Sequence, residues 1–282
     1  PLYNEDESLR DLEQWIRKVM ETHNFSYEIV MVDDGSTDDS WNVVQELAKM
    51  NPTIKGIKFR RNYGKSAALQ KGFEAVEGDV VITMDADLQD NPEEIPDLYN
   101  LITTKNYDLV SGWKKKRYDP ITKTLPTKLY NWAARRITGI YLHDFNCGLK
   151  AYKREVIKNI EVYGEMHRYI PAIAKWAGFN NIGEKVVAHR PREFGVTKFG
   201  GLDRGVKGML DLVSITFTQK YMKRPMHFFG AWGAVFAFIG GIEMLWLFFR
   251  KVIWAEGLKE HIPGLMFGST ALLMGILLFS VG

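Results

Sequence analysis

Two apolar runs in this chain end abruptly in oxygen-bearing side chains. Val80-Val81-Ile82-Thr83-Met84 gives way to Asp85, Asp87 and Gln89, and Glu28 to Val32 gives way to Asp33 and Asp34. In open parallel α/β sheets, ligands gather at the carboxyl ends of the strands. Two acid-ended strands lying side by side would put four carboxylates into one crevice, where they repel one another. A divalent cation resolves that repulsion. Mg2+ or Mn2+ takes oxygen ligands and keeps positions for waters and substrate phosphates. Asp87 and Gln89 as two ligands, with a diphosphate completing the shell, make a chemically consistent site. If the strand stays extended, residues two apart face one way and Asp85, Asp87 and Gln89 point together. The plain alternative is a solvated turn with an Asx-type helix cap at Asn91. An isolated Asp-x-Asp does not choose between them.

Other chemistries are poorly supported. Gly64-Lys65-Ser66 resembles the end of a phosphate-binding P-loop, but the first glycine of that motif would fall at Phe59. No G-x-G-x-x-G follows a strand, so no dinucleotide cofactor is indicated, and the histidines lack zinc spacing. Cys147 is the one cysteine, which excludes an intrachain disulfide and a Cys-rich metal site. It reads as a packed thiol.

The elements that must position these residues alternate. Leu9, Leu12, Ile16 and Val19 recur at helical spacing. Strands are predicted over Glu28 to Val32, Ile54 to Phe59, Asp79 to Met84 and Tyr107 to Ser111. Helices are predicted around Trp41, Val44 and Leu47, capped by Ser36 or Thr37, over Ser66 to Val76, and from Pro92 onward. This βαβα rhythm predicts an α/β fold with a mostly parallel sheet covered by helices.

The chain has 282 residues, 46% apolar and 25% charged, which suffices for one α/β domain plus further elements. A net charge of +3 does not argue for nucleic acid. The polar opening Tyr3-Asn4-Glu5-Asp6-Glu7 carries the expectation that a strand precedes Pro1. The last third is unlike the rest. Phe228 to Phe249 holds one charge, Glu243, and Ile262 to Gly282 holds none, so both are long enough to cross a bilayer and form a hairpin. The apolar residues at 206, 209, 210, 213, 217 and 221 make a stripe suited to a membrane-surface helix. Residues 1–200 therefore read as the chemical domain, 201–225 as an amphipathic segment and 226–282 as two membrane spans. Lys220, Lys223 and Arg224 place the first domain on the cytoplasmic side of the cell membrane, although Arg250, Lys251 and Lys259 weaken that vote.

Five stretches occur in one order: Tyr3-Asn4-Glu5, Val32-Asp33-Asp34-Gly35-Ser36, Asn62-Tyr63-Gly64-Lys65, Met84-Asp85-Ala86-Asp87-Leu88-Gln89, and His189-Arg190-Pro191-Arg192 followed by Gly195-Val196-Thr197-Lys198. In this the chain resembles family-2 inverting glycosyltransferases of the GT-A (Rossmann-like) fold, and among them the polyprenyl-phosphate sugar synthases. The resemblance covers nearly the whole chain. It implies transfer of one hexose from a nucleotide sugar, UDP-glucose or GDP-mannose, to a polyprenyl phosphate.

The resemblance also implies roles. Pro1, Tyr3, Glu5 and Asp33 or Asp34 hold the nucleotide's base and ribose, with Lys65 in the same group. Asp85 lies by the ribose and diphosphate, and Asp87 and Gln89 bind Mg2+ or Mn2+. Lys123 and Thr127 take the acceptor phosphate. Arg117, in the run Lys114-Lys115-Lys116-Arg117, either joins them or belongs to a solvated basic loop. Arg192 grips a phosphate with Lys198 nearby, and Asp144 is the position for a general base. A lipid phosphate is already an anion at neutral pH, so positioning and charge stabilisation of the leaving diphosphate carry the chemistry. Two competing functions are a processive polysaccharide synthase, whose Gln-x-x-Arg-Trp signature the sequence lacks, and a non-catalytic membrane scaffold that binds nucleotide sugars. The oligomeric state, a homo-oligomer included, is open at this level.

Overall fold

The computed structural model describes residues 1–115, 131–190, 211, 214–218, 225–254, 257 and 261–282. They belong to two compact units, Pro1–Leu212 and Val213–Gly282. The boundary falls inside the expected amphipathic segment, most of which lies outside the described residues.

The first unit alternates as its hydrophobic pattern predicts: α1 (Leu9–Thr22), β1 (Ile29–Asp33), α2 (Ser40–Met50), β2 (Ile54–Lys58), α3 (Lys65–Ala75), β3 (Val80–Thr83), α4 (Ile95–Thr103) and β4 (Leu109–Trp113). Two strands that the sequence reading passed over follow, β5 (Lys150–Lys153) and β6 (Ile182–Val186), with α5 (Arg154–Lys158) and α6 (Ile170–Trp176) between them. Strands β1 and β2 pair in parallel. The other four are ordered β3-β5-β4-β6. There β5 runs antiparallel to both neighbours while β4 and β6 are parallel. Strands β3, β4 and β6 therefore share one direction, and β5 alone in this sheet opposes it.

Helices cover both faces. On β5, alternate side chains point to opposite sides. Ala151 packs with Leu98 and Ile102 of α4. Tyr152 meets Phe73 of α3 edge-on, with ring centroids 5.5 Å apart. A second core gathers Leu9 and Leu12 of α1, Val43, Val44 and Leu47 of α2, and Met31 of β1. Burying each such side chain contributes about 1.5–3 kcal/mol. Residues 1–2 enter beside β1: Leu2 N–H donates to Val32 O and Asp34 N–H to Leu2 O, each at 2.9 Å. A cleft of about 640 Å3 lies between the facing edges of β1 and β3.

Two local expectations need correction. Neither Ser36 nor Thr37 caps α2, whose first turn begins after Asp39 with no side-chain cap. Ser36 Oγ instead accepts Asn4 N–H at 2.9 Å, and Asn4 Oδ1 accepts Thr37 N–H at 2.8 Å. The helix starts only at Ser40, so Ser36 and Thr37 lie upstream of its N-cap and serve the opening segment instead. The helix from Pro92 starts as a 3-10 turn, Pro92–Glu94, and Asn91 Oδ1 caps it by accepting Glu93 N–H at 3.1 Å.

The second unit is dominated by α7 (Pro225–Ile253) and α8 (Ile262–Val281), both long and apolar enough to cross a membrane. They pack through small residues. A Cβ added at Gly240 would lie 2.6 Å from Gly268 O, and one at Gly275 would lie 2.5 Å from Ala237 N. As contacts advance along α7 they retreat along α8, so the helices are antiparallel. Large side chains such as Phe238, Leu245 and Leu277 face outward, as expected where lipid replaces water. Glu243 sits in the seam, its Oε1 2.8 Å from where a Gly264 Cβ would be.

Candidate active site

The residues after β3 form a folded loop, not an extended continuation of the strand. The alternation expected for Asp85, Asp87 and Gln89 therefore does not hold. Asp87 Oδ1 accepts Gln89 N–H at 3.2 Å, an Asx turn. Leu88 takes a left-handed backbone, φ 60°, which an L-residue adopts at a cost of about 1–2 kcal/mol. That cost is offset by anchoring: Leu88 is buried in the α1–α2 core with Ala86. Ser8 Oγ donates to Ala86 O at 2.6 Å. The turn sends Asp85 and Gln89 to different partners.

Asp85 meets Lys65, the first residue of α3. Burial pushes the Asp85 carboxyl up, but Lys65 and then Lys114 outweigh that and hold it well below the usual carboxylate range. Lys65 is placed by Asp34, whose two oxygens accept Tyr63 N–H at 2.7 Å and Gly64 N–H at 2.9 Å. Gly64 has φ +93°, the left-handed region open to glycine. Burial raises the Asp34 pKa, and the two amides partly offset it. Asp34 thus shapes the Asn62–Lys65 loop. Asp33 Oδ1 accepts Ser36 N–H at 2.8 Å, while its buried Oδ2 has no hydrogen-bond partner. Pro1, Asp34, Lys65 and Asp85 lie within electrostatic reach of one another. Tyr3 and Glu5 flank Asn4, and Glu5 N–H donates to Ser40 Oγ at 2.9 Å.

Gln89 ties the loop to the strand edge beyond β6. Its backbone O accepts Arg190 N–H at 3.0 Å, and its Nε2 donates to Arg190 O at 3.4 Å. Arg190 lies over the Trp15 ring at 4.2 Å.

Opposite the loop is the stretch 144–148. A Cβ at Gly148 would lie 2.5 Å from Asp85 Oδ2, so the close approach requires glycine. Asp144 is buried, and its Oδ1 accepts Asn146 N–H at 3.0 Å. The Cys147 thiol is pushed up to about 12 by burial and by Asp90, which leaves it protonated. This agrees with a packed thiol.

Several residues near the site were not singled out from the sequence. Lys150 is buried and donates to Cys147 O. Its pKa is lowered by burial, with Lys65 adding to the effect. His167 N–H donates to Ser66 Oγ at 3.0 Å, and its Nδ1 lies 3.2 Å from the same oxygen. Burial and then Lys65 push the His167 pKa down to about 2, so the ring is neutral. Lys114 forms an ion pair with Asp90 at 2.8 Å. Burial lowers its pKa but Asp90 more than reverses this, so the ammonium is held above its ordinary range. No sequence motif marks Lys150 or His167, because β5 and the 3-10 turn Met166–Tyr169 deliver them from far along the chain. Asp90, next to Gln89, was visible but unread.

The structure brings together Pro1, Asp34, Lys65 and Asp85, with Asp87 and Gln89 on the adjoining turn. Arg117, Lys123, Thr127, Arg192 and Lys198 lie outside the described residues. Among the described residues no group of three His, Cys, Asp or Glu side chains could hold a metal ion. Asp85 is committed to Lys65 and Asp34 to two amides, so the four acids do not form one cluster. The Asp87 carboxylate and the Gln89 amide oxygen on the turn are oxygen donors of the type a hard cation takes.

A family model, Glycosyl transferase family 2, matches residues 1–161. The chain belongs to that family. It is 35% identical over 285 aligned residues to a dodecaprenyl-phosphate galacturonate synthase of Rhizobium johnstonii, covering 100% of this chain and 84% of that one. It is 38% identical over 219 residues to an undecaprenyl-phosphate 4-deoxy-4-formamido-L-arabinose transferase of Pseudomonas syringae, covering 77% of this chain and 64% of that one. The glucosyl-3-phosphoglycerate synthase of Mycobacterium tuberculosis, solved with Mn2+, UDP-glucose and phosphoglyceric acid, superposes with a TM-score of 0.57 at 20% identity over 78% of this chain and 77% of that one. That likeness establishes the GT-A fold.

Proposed function

We propose that this protein is a membrane-bound inverting glycosyltransferase that moves one sugar from a nucleotide diphosphate sugar to a polyprenyl phosphate. The observation that carries the reading is the turn after β3. It holds Asp85 beside Lys65 and Gly148 and carries Asp87 and Gln89 on the same short loop, in a chain that continues into two helices of membrane length. Similarity to the galacturonate synthase along the full chain, both helices included, supports the lipid acceptor.

Asp87 and Gln89 hold Mg2+ or Mn2+; the neighbour with Mn2+ and UDP-glucose supports a metal of this kind. The metal, when bound, neutralises charge on the donor diphosphate. Asp33, through its unpartnered oxygen, and the Pro1–Glu5 segment receive the nucleotide. Lys65 and Asp85 form the edge next to the diphosphate. Lys123, Thr127 and Arg117 take the acceptor phosphate, and Arg192 with Lys198 counters phosphate charge. Asp144, buried and hydrogen-bonded within its own loop, orients that loop, since an acceptor phosphate needs no base. The sugar is a modified one, galacturonate or a formamido-pentose, in preference to glucose or mannose, because the relatives carry those names. The first unit lies on the cytoplasmic face of the cell membrane.

The test is a donor screen on the full chain in lipid nanodiscs. Nucleotide derivatives of galacturonate, 4-deoxy-4-formamido-L-arabinose, glucose and mannose are each offered with a polyprenyl phosphate. Release of nucleoside diphosphate that depends on the lipid phosphate is expected with one of the first two. Release that is indifferent to the lipid, or absent with every donor, overturns the reading.

A further inference from the structure

We propose that Asp90 and Lys114 are a positioning pair that holds the Asp85–Asp90 loop in its donor-binding shape without touching the donor. The inference rests on the crevice being the nucleotide-sugar site proposed above.

Lys114 opens a basic run that the sequence offered either to a phosphate or to solvent. The structure gives it to neither. Its side chain is 14% exposed and that of Asp90 is 0% exposed, with 2.8 Å between ammonium and carboxylate. The second Asp90 oxygen accepts Asp85 N–H at 3.3 Å. The Asp90 backbone forms a bridge with His189. The Asp90 carboxylate therefore joins the residue after β4 to the start of the loop, and the Asp90 backbone ties the loop to His189.

The loop needs such a fastening. It holds acids at 85, 87 and 90, and it turns through the left-handed Leu88. Like charges this close favour opening of the turn. Lys65 and Lys114 oppose that by each taking one carboxylate. Breaking a buried pair by deleting one partner leaves an uncompensated charge. Without Lys114, the Asp90 carboxylate loses its buried partner and swings toward water, which releases Asp85 N–H. The turn at Asp87 and Gln89 then loses its fixed start. The expected loss falls on the donor side of the reaction.

The experiment uses the full chain with Lys114→Met, Asp90→Asn and Lys114→Arg. Lys153→Met is the control, because Lys153 pairs with Asp108 at 2.9 Å away from the loop. Donor KM, acceptor KM, thermal midpoint, binding of nucleoside diphosphate with Mn2+, and hydrogen exchange of the 85–90 amides are measured. Lys114→Met and Asp90→Asn are expected to raise donor KM and the diphosphate Kd about 10-fold and to speed exchange at 85–90. Acceptor KM stays within about twofold, on the same positioning argument. Lys114→Arg restores most of the loss. Lys153→Met lowers the midpoint and leaves donor KM alone. A rise in acceptor KM with donor KM unchanged makes Lys114 a phosphate ligand and overturns the proposal. So does loss of folded protein with unchanged KM and unchanged exchange at 85–90. If wild-type protein binds no nucleoside diphosphate, the proposed function fails, and the exchange measurement still decides whether the pair holds the loop.

Discussion

Asp87 is the residue on which the proposed chemistry leans most. It combines an Asx turn with a carboxylate oxygen for the metal, so Asp87→Ala removes both shape and charge. Turnover at saturating metal is expected to fall about 100-fold or more, as for loss of a main transition-state stabiliser. Steady-state rates within a few-fold of wild type would remove it from the metal site. His167 carries a pH effect. Burial first, and then Lys65, Arg168 and Lys150, push its pKa down to about 2, with Asp85 opposing. The unfolded chain takes up the proton below its ordinary value near 6.5, and the folded chain does not. This contribution to stability is therefore full above about pH 6.5 and declines by up to about 1.4 kcal/mol for each pH unit below it. Urea titrations at pH 7 and pH 5 are expected to show a smaller acid loss in His167→Gln than in wild type. Equal losses would mean that the ring protonates in the folded state.

At the scale of elements, α7 and α8 meet through backbone-close glycines. A side chain at Gly275 would collide with Ala237 backbone, whereas at Gly241 nothing lies within 4 Å. Gly275→Val is expected to cost about 1–3 kcal/mol in detergent unfolding by forcing the helices apart, and Gly241→Ala to cost far less. Equal effects would contradict the seam. The sequence showed these helices clearly because long apolar runs with at most one charge admit few other readings. It also showed β1 to β4: β1 and β3 are apolar runs ended by acids, and β2 and β4 fall in the strand–helix rhythm around them. It hid β5 and β6 because Lys-Ala-Tyr-Lys and Ile-Gly-Glu-Lys-Val carry too few apolar residues to stand out. Their strand state comes from pairing with β3 and β4. The site was legible to a similar depth. Residue types at Asp85, Asp87 and Gln89 singled out this loop as a candidate, but the left-handed turn at Leu88 was not readable from alternation. Asp34, read as a nucleotide ligand, is occupied by amides that only the folded Asn62–Lys65 loop supplies.

For the whole molecule, the claim is that a GT-A unit works on an acceptor that stays in the bilayer. The lipid tail cannot leave cheaply, so the acceptor phosphate stays at headgroup level and the protein must meet it there. Protein ending near Pro225 is expected to bind donor as the full chain does and to act poorly on long-chain polyprenyl phosphate in vesicles. Equal rates for both forms would detach the helices from acceptor delivery. Substituting Lys123 and Thr127 together with Ala is expected to raise acceptor KM and spare donor KM, since both are proposed to take the acceptor phosphate. An unchanged acceptor KM would take both out of that role. The most direct measurement is the lipid product itself, made by the full chain in nanodiscs from the preferred donor. Mass spectrometry is expected to show polyprenyl phosphate carrying one sugar, and nuclear magnetic resonance an anomeric centre inverted from the donor. A ladder of several sugars per lipid, or retention at that centre, would contradict single inverting transfer.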